Sequence, residues 1–275
     1  MNRALRILLA MALLGLASCA QQPFRADWIV RNQLWEDSVQ TAHFPLWTLS
    51  NQAYQYRTGQ RLVVLIEGDG KPWLRQHLMA ADPTSDDPLL LPLLPEIEVA
   101  AVYLGRPCYY QARLAAQGQG VVNDCKPYWW TFGRYSELVV ASLVEAVIQL
   151  AEDYREVVLV GHSGGGALAV LMAPALAENY QLRVVTLAGN LNVGAWTVAH
   201  GYTPLLASLD PMALPPLDTQ IEQFHVSGGK DRIIRQAWVE SFATRQPNAH
   251  FVLEPTFDHR CCWREYAKRL LSDLE

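Results

Sequence analysis

Residues 161–165 read Gly-His-Ser-Gly-Gly, and a serine flanked by glycines at this spacing can present its hydroxyl for attack on a carbonyl. A serine hydroxyl is a weak nucleophile near neutral pH. It needs a base within hydrogen-bond reach and an acid that orients the base. Two later stretches supply them in the order Ser, acid, His: residues 227–232, Ser-Gly-Gly-Lys-Asp-Arg, hold Asp231, and residues 255–260, Pro-Thr-Phe-Asp-His-Arg, hold His259. Ser163, Asp231 and His259 are therefore the candidate catalytic residues. A tetrahedral oxyanion also needs backbone donors. Gly164, directly after the serine, is expected to supply one. The Glu67-Gly68-Asp69-Gly70 turn is expected to supply the other, through the Asp69 N–H with Gly68 beside it.

Other residues compete for these roles. Asp210 is the second choice for the acid, followed by Asp218, while Asp258 is expected to point away from the ring of its neighbour His259. His225 falls within an expected strand and His250 begins one. His200 lies in a long loop, and His43 and His77 precede the serine. His162, the variable residue of the turn, is expected to be structural. Residues 164–169, Gly-Gly-Gly-Ala-Leu-Ala, loosely satisfy the dinucleotide fingerprint, but the next strand ends without the acid that would hold a ribose. A phosphate loop would need a lysine that this turn lacks. Glu67 and Asp69 without histidine support make a weak metal site, so no metal and no cofactor are expected.

These side chains need elements that bring them to one edge. Apolar runs of strand length at 61–66, 97–104, 156–160, 183–188, 221–226 and 250–254 alternate with longer segments of helical period. That alternation predicts an α/β fold with a mostly parallel central sheet flanked by helices. Leu138, Val139, Ser142, Leu143, Ala146, Val147 and Leu150 recur at three- and four-residue steps behind Ser136, which suits an N-cap. Residues 46–58 are expected to form an antiparallel pair at the sheet edge. Two excursions, 105–134 and 189–220, follow strands and are read as walls or a lid over a site at the carboxyl ends of the sheet.

Arg3 and Arg6 precede an apolar run too short to span a bilayer, which reads as an export signal. Leu16, Ala17, Ser18 and Cys19 resemble the lipobox of bacterial lipoproteins, where cleavage precedes a cysteine that receives lipid on its sulfur. The resemblance implies loss of residues 1–18, a lipidated Cys19, a tether and arm over 19–45 and an enzyme-sized domain over 46–275. Ala20 after the cysteine implies a protein anchored in the bacterial outer membrane and facing the periplasm. Without Arg3 and Arg6 the 22 basic residues become 20 against 27 acidic, a net charge near −7. Such a balance argues against nucleic acid as a partner. Cys108, Cys125, Cys261 and Cys262 remain, and four cysteines allow three pairings. A Cys108–Cys125 bridge would stabilise by roughly 3 kcal/mol on the chain-entropy estimate. Cys261 and Cys262 could pair with each other, with other partners, or stay reduced.

The motifs Leu-Ala-Ser-Cys (16–19), IEGDGKPW (66–73), YLGRPC (103–108), VGHSGGGA (160–167), TLAGNLN (186–192) with AWT (195–197), GGKDRII (228–234) and FDHRCCW (257–263) together resemble the α/β-hydrolase family. The likeness is closest to a group of bacterial α/β-hydrolase lipoproteins. It implies hydrolysis of an ester-type bond by a carboxylesterase or lipase-like reaction, on a small-molecule or lipid substrate. A thioesterase or peptidase using the same triad, and a non-enzymatic envelope binding protein, are the alternatives. Glu67 stands where many hydrolases have histidine before glycine, which sets the oxyanion turn apart from the wider family.

Overall fold

The computed structural model describes residues 26–57, 59–75, 77–119 and 125–272. Its strands are β1 (Trp35–Gln40), β2 (Pro45–Ser50), β3 (Arg61–Ile66), β4 (Trp73–Leu74), β5 (Leu78–Met79), β6 (Ala101–Leu104), β7 (Glu156–His162), β8 (Gln181–Leu187), β9 (Glu222–Gly228) and β10 (Ala249–Glu254). Eight of them form one sheet in the order β1-β2-β6-β3-β7-β8-β9-β10, and β4 and β5 form a small separate hairpin. From β6 to β10 the neighbours run parallel, whereas β2 is antiparallel to both β1 and β6.

The central strands are buried on both faces. Leu62 to Ile66 and Val157 to Val160 are almost wholly enclosed, which demands a helical layer on each side. The helix Glu137–Leu150 starts where Ser136 Oγ accepts from Val139 N–H, and it buries Val139, Ser142, Leu143, Ala146, Val147 and Leu150. The helix Gly164–Ala177 packs on β7 and β8 and is covered by Glu137–Leu150. That sandwiched position explains why it is apolar on every side.

Three expectations are corrected. The strand expected over 97–104 is confined to Ala101–Leu104, because Asn51 Nδ2 donates to the carbonyls of Ile97 and Val99, each at 2.8 Å, and holds that backbone outside the ladder. Within 46–58 only the first part is strand; Asn51 caps the short helix Gln52–Gln55. The antiparallel partner is β1, which lies in the stretch read as a tether and arm. Residues 26–45 thus belong to the folded unit, with Ile29 of helix Ala26–Arg31, Val39 of β1 and the neighbouring Leu34 and Phe44 buried in the common core. Residues 1–25, including Cys19, lie outside the described residues. Among the described residues no helix is long and apolar enough to cross a membrane.

The first excursion contains helix Gln111–Ala116 and the turn Pro127–Trp130, closed by a Cys108–Cys125 disulfide. The second contains helix Val193–His200. Cys261 and Cys262 pair with each other.

Candidate active site

Ser163 stands between β7 and the helix Gly164–Ala177 with φ 52° and ψ −115°, a strained conformation for an L-residue. Neighbouring backbone holds it there. Ser163 N–H donates to Leu187 O at 3.0 Å, and its carbonyl accepts from Asn190 N–H at 2.9 Å and Gly166 N–H at 3.0 Å. A turn this tight excludes a side chain at Gly161, whose Cβ would lie 2.3 Å from the Gly165 carbonyl oxygen. The serine is thereby presented at the carboxyl end of the parallel sheet.

The loops after β9 and β10 are joined to each other. Lys230 N–H donates to Phe257 O and Gly229 N–H to Glu254 O, at 2.8 and 2.9 Å. Asp231, on the first loop, has a fully buried side chain. Its Oδ1 accepts from the N–H groups of Ile233 and Ile234, both at 2.8 Å, and its Oδ2 lies 2.8 Å from His259 Nδ1. His259 Nε2 lies 3.1 Å from Ser163 Oγ. A carboxylate can only accept, so Nδ1 carries the proton and Nε2 presents its lone pair to the hydroxyl. This is the tautomer a general base requires.

His162 has the structural role expected of it, with a specific target. Its Nε2 donates to the backbone carbonyl of His259 at 3.0 Å, so the residue beside Ser163 holds the loop that carries His259. Its Nδ1 faces Glu67 Oε1 at 3.7 Å. Glu67 is buried and its other oxygen accepts from Leu90 N–H at 2.8 Å. Glu67, which stands where many hydrolases have histidine, thus ties the turn at residues 67–70 to the segment that begins at Leu90.

Gly68, Asp69 and Gly164 lie together at the serine. A Cβ on Gly68 would stand 3.3 Å from Ser163 Cβ, and one on Gly164 would stand 2.1 Å from Asp69 Oδ1. The Gly68 N–H turns toward Glu67 Oε1 at 3.4 Å. Among the described residues no acceptor takes the N–H of Asp69 or of Gly164, which leaves these two available to an oxyanion.

The Asp69 side chain is more elaborately held than any sequence pattern indicated. Its Oδ1 accepts from Arg106 Nη1 at 2.6 Å, and its Oδ2 from Arg134 Nη1 at 2.9 Å and Tyr135 OH at 2.7 Å. Both arginine side chains are almost completely enclosed. Burial alone would raise the Asp69 carboxyl, but the Arg134 and Arg106 guanidiniums outweigh it, aided by the Arg106 and Tyr135 hydrogen bonds. Together they hold it well below the usual carboxylate range.

The rival residues are occupied elsewhere. Asp210 caps the helix Val193–His200, accepting from Val193 N–H at 3.0 Å and Gly194 N–H at 2.8 Å. Asp218 Oδ1 accepts from Gln220 N–H, and Asp258 Oδ1 from Arg260 and Cys261 N–H, as its expected orientation away from the ring requires. His225 is wholly buried between Thr186 Oγ1 and Gln223 Oε1. His200 Nε2 donates to Ile233 O, and His250 stacks on Phe224. His43 and His77 are exposed. Among the described residues no three histidine, cysteine or acidic side chains are grouped as metal ligands would be.

The excursions divide the expected work unequally. Much of the first is core: Tyr109, Tyr110 and Trp130 are buried, and only Tyr128 among its large aromatics is strongly exposed. Its two ends supply Arg106 and Arg134. The sequence reading missed both, along with the Tyr135 hydroxyl, although two arginines flanking an aromatic-rich excursion are a recognisable signal.

Comparison with known proteins agrees with this architecture. The lipase (class 3) family profile matches residues 113–209, a span that includes Ser163 and ends before Asp231 and His259. No curated protein matches the chain in sequence. Among solved structures it is similar to an esterase from Pyrococcus furiosus, at 11% identity and TM-score 0.57, covering 90% of this chain and 91% of that one. It is also similar to Est1E from Butyrivibrio proteoclasticus with ferulic acid bound, at 15% identity and TM-score 0.55, over 86% and 97% of the two chains. A serine hydrolase homologue from Coxiella burnetii matches at 13% identity and TM-score 0.53, over 87% and 96%. Sequence identities this low speak to the fold. The parallel sheet with its antiparallel edge, the elbow between β7 and the following helix, and these likenesses show that the chain has the α/β-hydrolase fold.

Proposed function

We propose that the protein is a serine hydrolase that cleaves an ester through an acyl-enzyme on Ser163. One observation carries the proposal: Ser163 Oγ, His259 and Asp231 form an unbroken hydrogen-bonded series of 3.1 and 2.8 Å from a strained turn to a buried carboxylate. In the first half-reaction His259 Nε2 takes the hydroxyl proton as Oγ attacks the acyl carbonyl. Asp231 stabilises the imidazolium without taking its proton. The tetrahedral oxygen draws on the Gly164 and Asp69 N–H groups, and His259 then protonates the departing alcohol. In the second half-reaction His259 deprotonates water, which attacks the acyl-enzyme and releases the acid. None of these steps calls on a cofactor.

An ester with an apolar group suits the surroundings. Leu74, Leu78 and Met79 on the β4–β5 hairpin, and Val198, Tyr202 and Leu206 on the second excursion, are exposed on segments that leave the carboxyl ends of β3 and β8. The proposal includes a lipid on Cys19 and residence in the bacterial envelope, supported by the lipobox likeness of residues 16–19.

A panel of p-nitrophenyl esters, matched thioesters and amides tests the reaction class. Turnover of esters above the other two, lost in Ser163→Ala, is the expected result. Preferred turnover of thioesters or amides would reassign the substrate, and no turnover of any by folded protein would overturn the reading. Metabolic labelling with a fatty-acid analogue should mark the wild type and disappear in Cys19→Ser. Labelling that persists in Cys19→Ser would refute the anchor.

A further inference from the structure

The oxyanion turn has a problem that its sequence does not reveal. Gly68 and Gly70 flank Asp69, and Gly70 takes φ +64°, so the turn is built from residues with wide conformational freedom. A backbone donor stabilises a transition state only if it is already aimed when charge develops. Asp69 also brings a carboxylate against Gly164, beside the place where negative charge will appear. An unpaired carboxylate there would oppose the reaction.

Four side chains outside the turn answer both difficulties. Arg106, Arg134 and Tyr135 bind the Asp69 carboxylate, and Tyr109 OH donates to the Asp69 backbone carbonyl at 2.9 Å. Side chain and carbonyl of the same residue are thereby fixed at once, which anchors the Asp69 Cα and limits the rotation of the neighbouring Gly68–Asp69 peptide that carries its N–H. The two guanidiniums leave the trio with Asp69 net positive instead of negative. The arginines are themselves held in place. Arg106 lies over the rings of Tyr109 and Tyr135 at 4.9 and 5.7 Å, and donates to Arg134 O at 3.3 Å. Arg134 Nε donates to Thr131 O at 2.7 Å, and its guanidinium lies 5.9 Å from the Trp196 ring. Gly164 completes the assembly, since a Cβ there would collide with Asp69 Oδ1 and approach Tyr135 OH to 2.6 Å.

We propose that Arg106, Arg134, Tyr135 and Tyr109 are positioning residues of the oxyanion site, clamping Asp69 so that its N–H stands beside that of Gly164. The inference rests on the serine-hydrolase reading and adds to it the residues that pre-set the second donor.

Tyr135→Phe and Tyr109→Phe each remove one hydroxyl from the clamp, by independent bonds to the same residue. Tyr103→Phe is the control, because it removes a buried hydroxyl that pairs with Tyr110 OH and does not touch Asp69. Each full-length variant is assayed for kcat and KM on a short-chain p-nitrophenyl ester. Inhibition by an alkylboronic acid, which forms a tetrahedral adduct with the serine, is measured alongside. Tyr135→Phe and Tyr109→Phe should each lower kcat about tenfold with KM within about twofold, and weaken boronate inhibition in the same proportion. Tyr103→Phe should change neither ratio, whatever its effect on thermal unfolding. If either clamp variant fails to fold, the other carries the test. A folded clamp variant with unchanged kcat and boronate inhibition, or with a loss confined to KM, would overturn the clamp while leaving the hydrolase reading intact. A folded wild type without esterase activity would remove both.

Discussion

His259 Nδ1 lies 2.8 Å from Asp231 Oδ2, while Asp231 Oδ1 is engaged by the N–H groups of Ile233 and Ile234. This division of the carboxylate specifies what Asp231→Asn should do. The amide oxygen would keep the two backbone N–H groups, and the amide nitrogen would face the ring. Nδ1 would then have to accept, so Nε2 would carry the proton and could not deprotonate Ser163. Turnover should fall by about 10⁴ with folding little changed. Single-turnover and steady-state rates, with a denaturation curve as the folding check, decide it; near-normal rates would remove Asp231 from the triad.

Asp210 is the first of the rival acids that sequence order allows, and the structure uses its carboxylate to accept from the first two N–H groups of the helix Val193–His200. Asp210→Ala should lower stability by about 1 kcal/mol, as loss of a capping carboxylate does. Its kcat/KM should stay within about threefold of wild type. A loss of several orders of magnitude in folded protein would show Asp210 to be the orienting acid.

Burial drives His225 down to about 3 from its ordinary 6.5. Its two ring nitrogens meet Thr186 Oγ1 and Gln223 Oε1, a pattern that suits the neutral ring. Above about pH 6.5 neither the folded nor the unfolded chain binds this proton, and its stabilising contribution is fully present. As pH falls toward about 3, only the unfolded chain binds it. Stability should therefore decline with acidification by about 1.4 kcal/mol per pH unit from this group alone. Urea unfolding at a series of pH values measures the slope. His225→Asn should start less stable and show a flatter slope; an unchanged slope would assign the dependence to other groups.

The parts of this molecule legible in its sequence are those encoded by short-range pattern. Ser163 is recognisable because strand, glycine turn and helix are contiguous. Asp231 and His259 follow because each begins a loop after an apolar strand. The sheet edge was hidden for the opposite reason. β1 reads Trp-Glu-Asp-Ser-Val-Gln and buries only Val39 fully, so it carries almost no hydrophobic alternation. Its pairing with β2 is a backbone property. The Asp69 clamp was hidden by distance along the chain. Asp69 meets Arg106 across 37 residues and Arg134 across 65, and nothing in either arginine's local sequence names Asp69 as its partner. Their burial with a carboxylate, which marks them as more than surface charges, emerges only once the excursion has folded back.

The central claim is that Ser163 is the nucleophile, and a fluorophosphonate probe tests it most directly. The probe bonds to an activated serine oxygen and expels fluoride, and peptide mass spectrometry locates the adduct. The account requires the adduct on Ser163 in the wild type, none in Ser163→Ala, and strongly slowed labelling in His259→Ala. Folded wild-type protein that takes no probe, or takes it at another residue, would contradict the account.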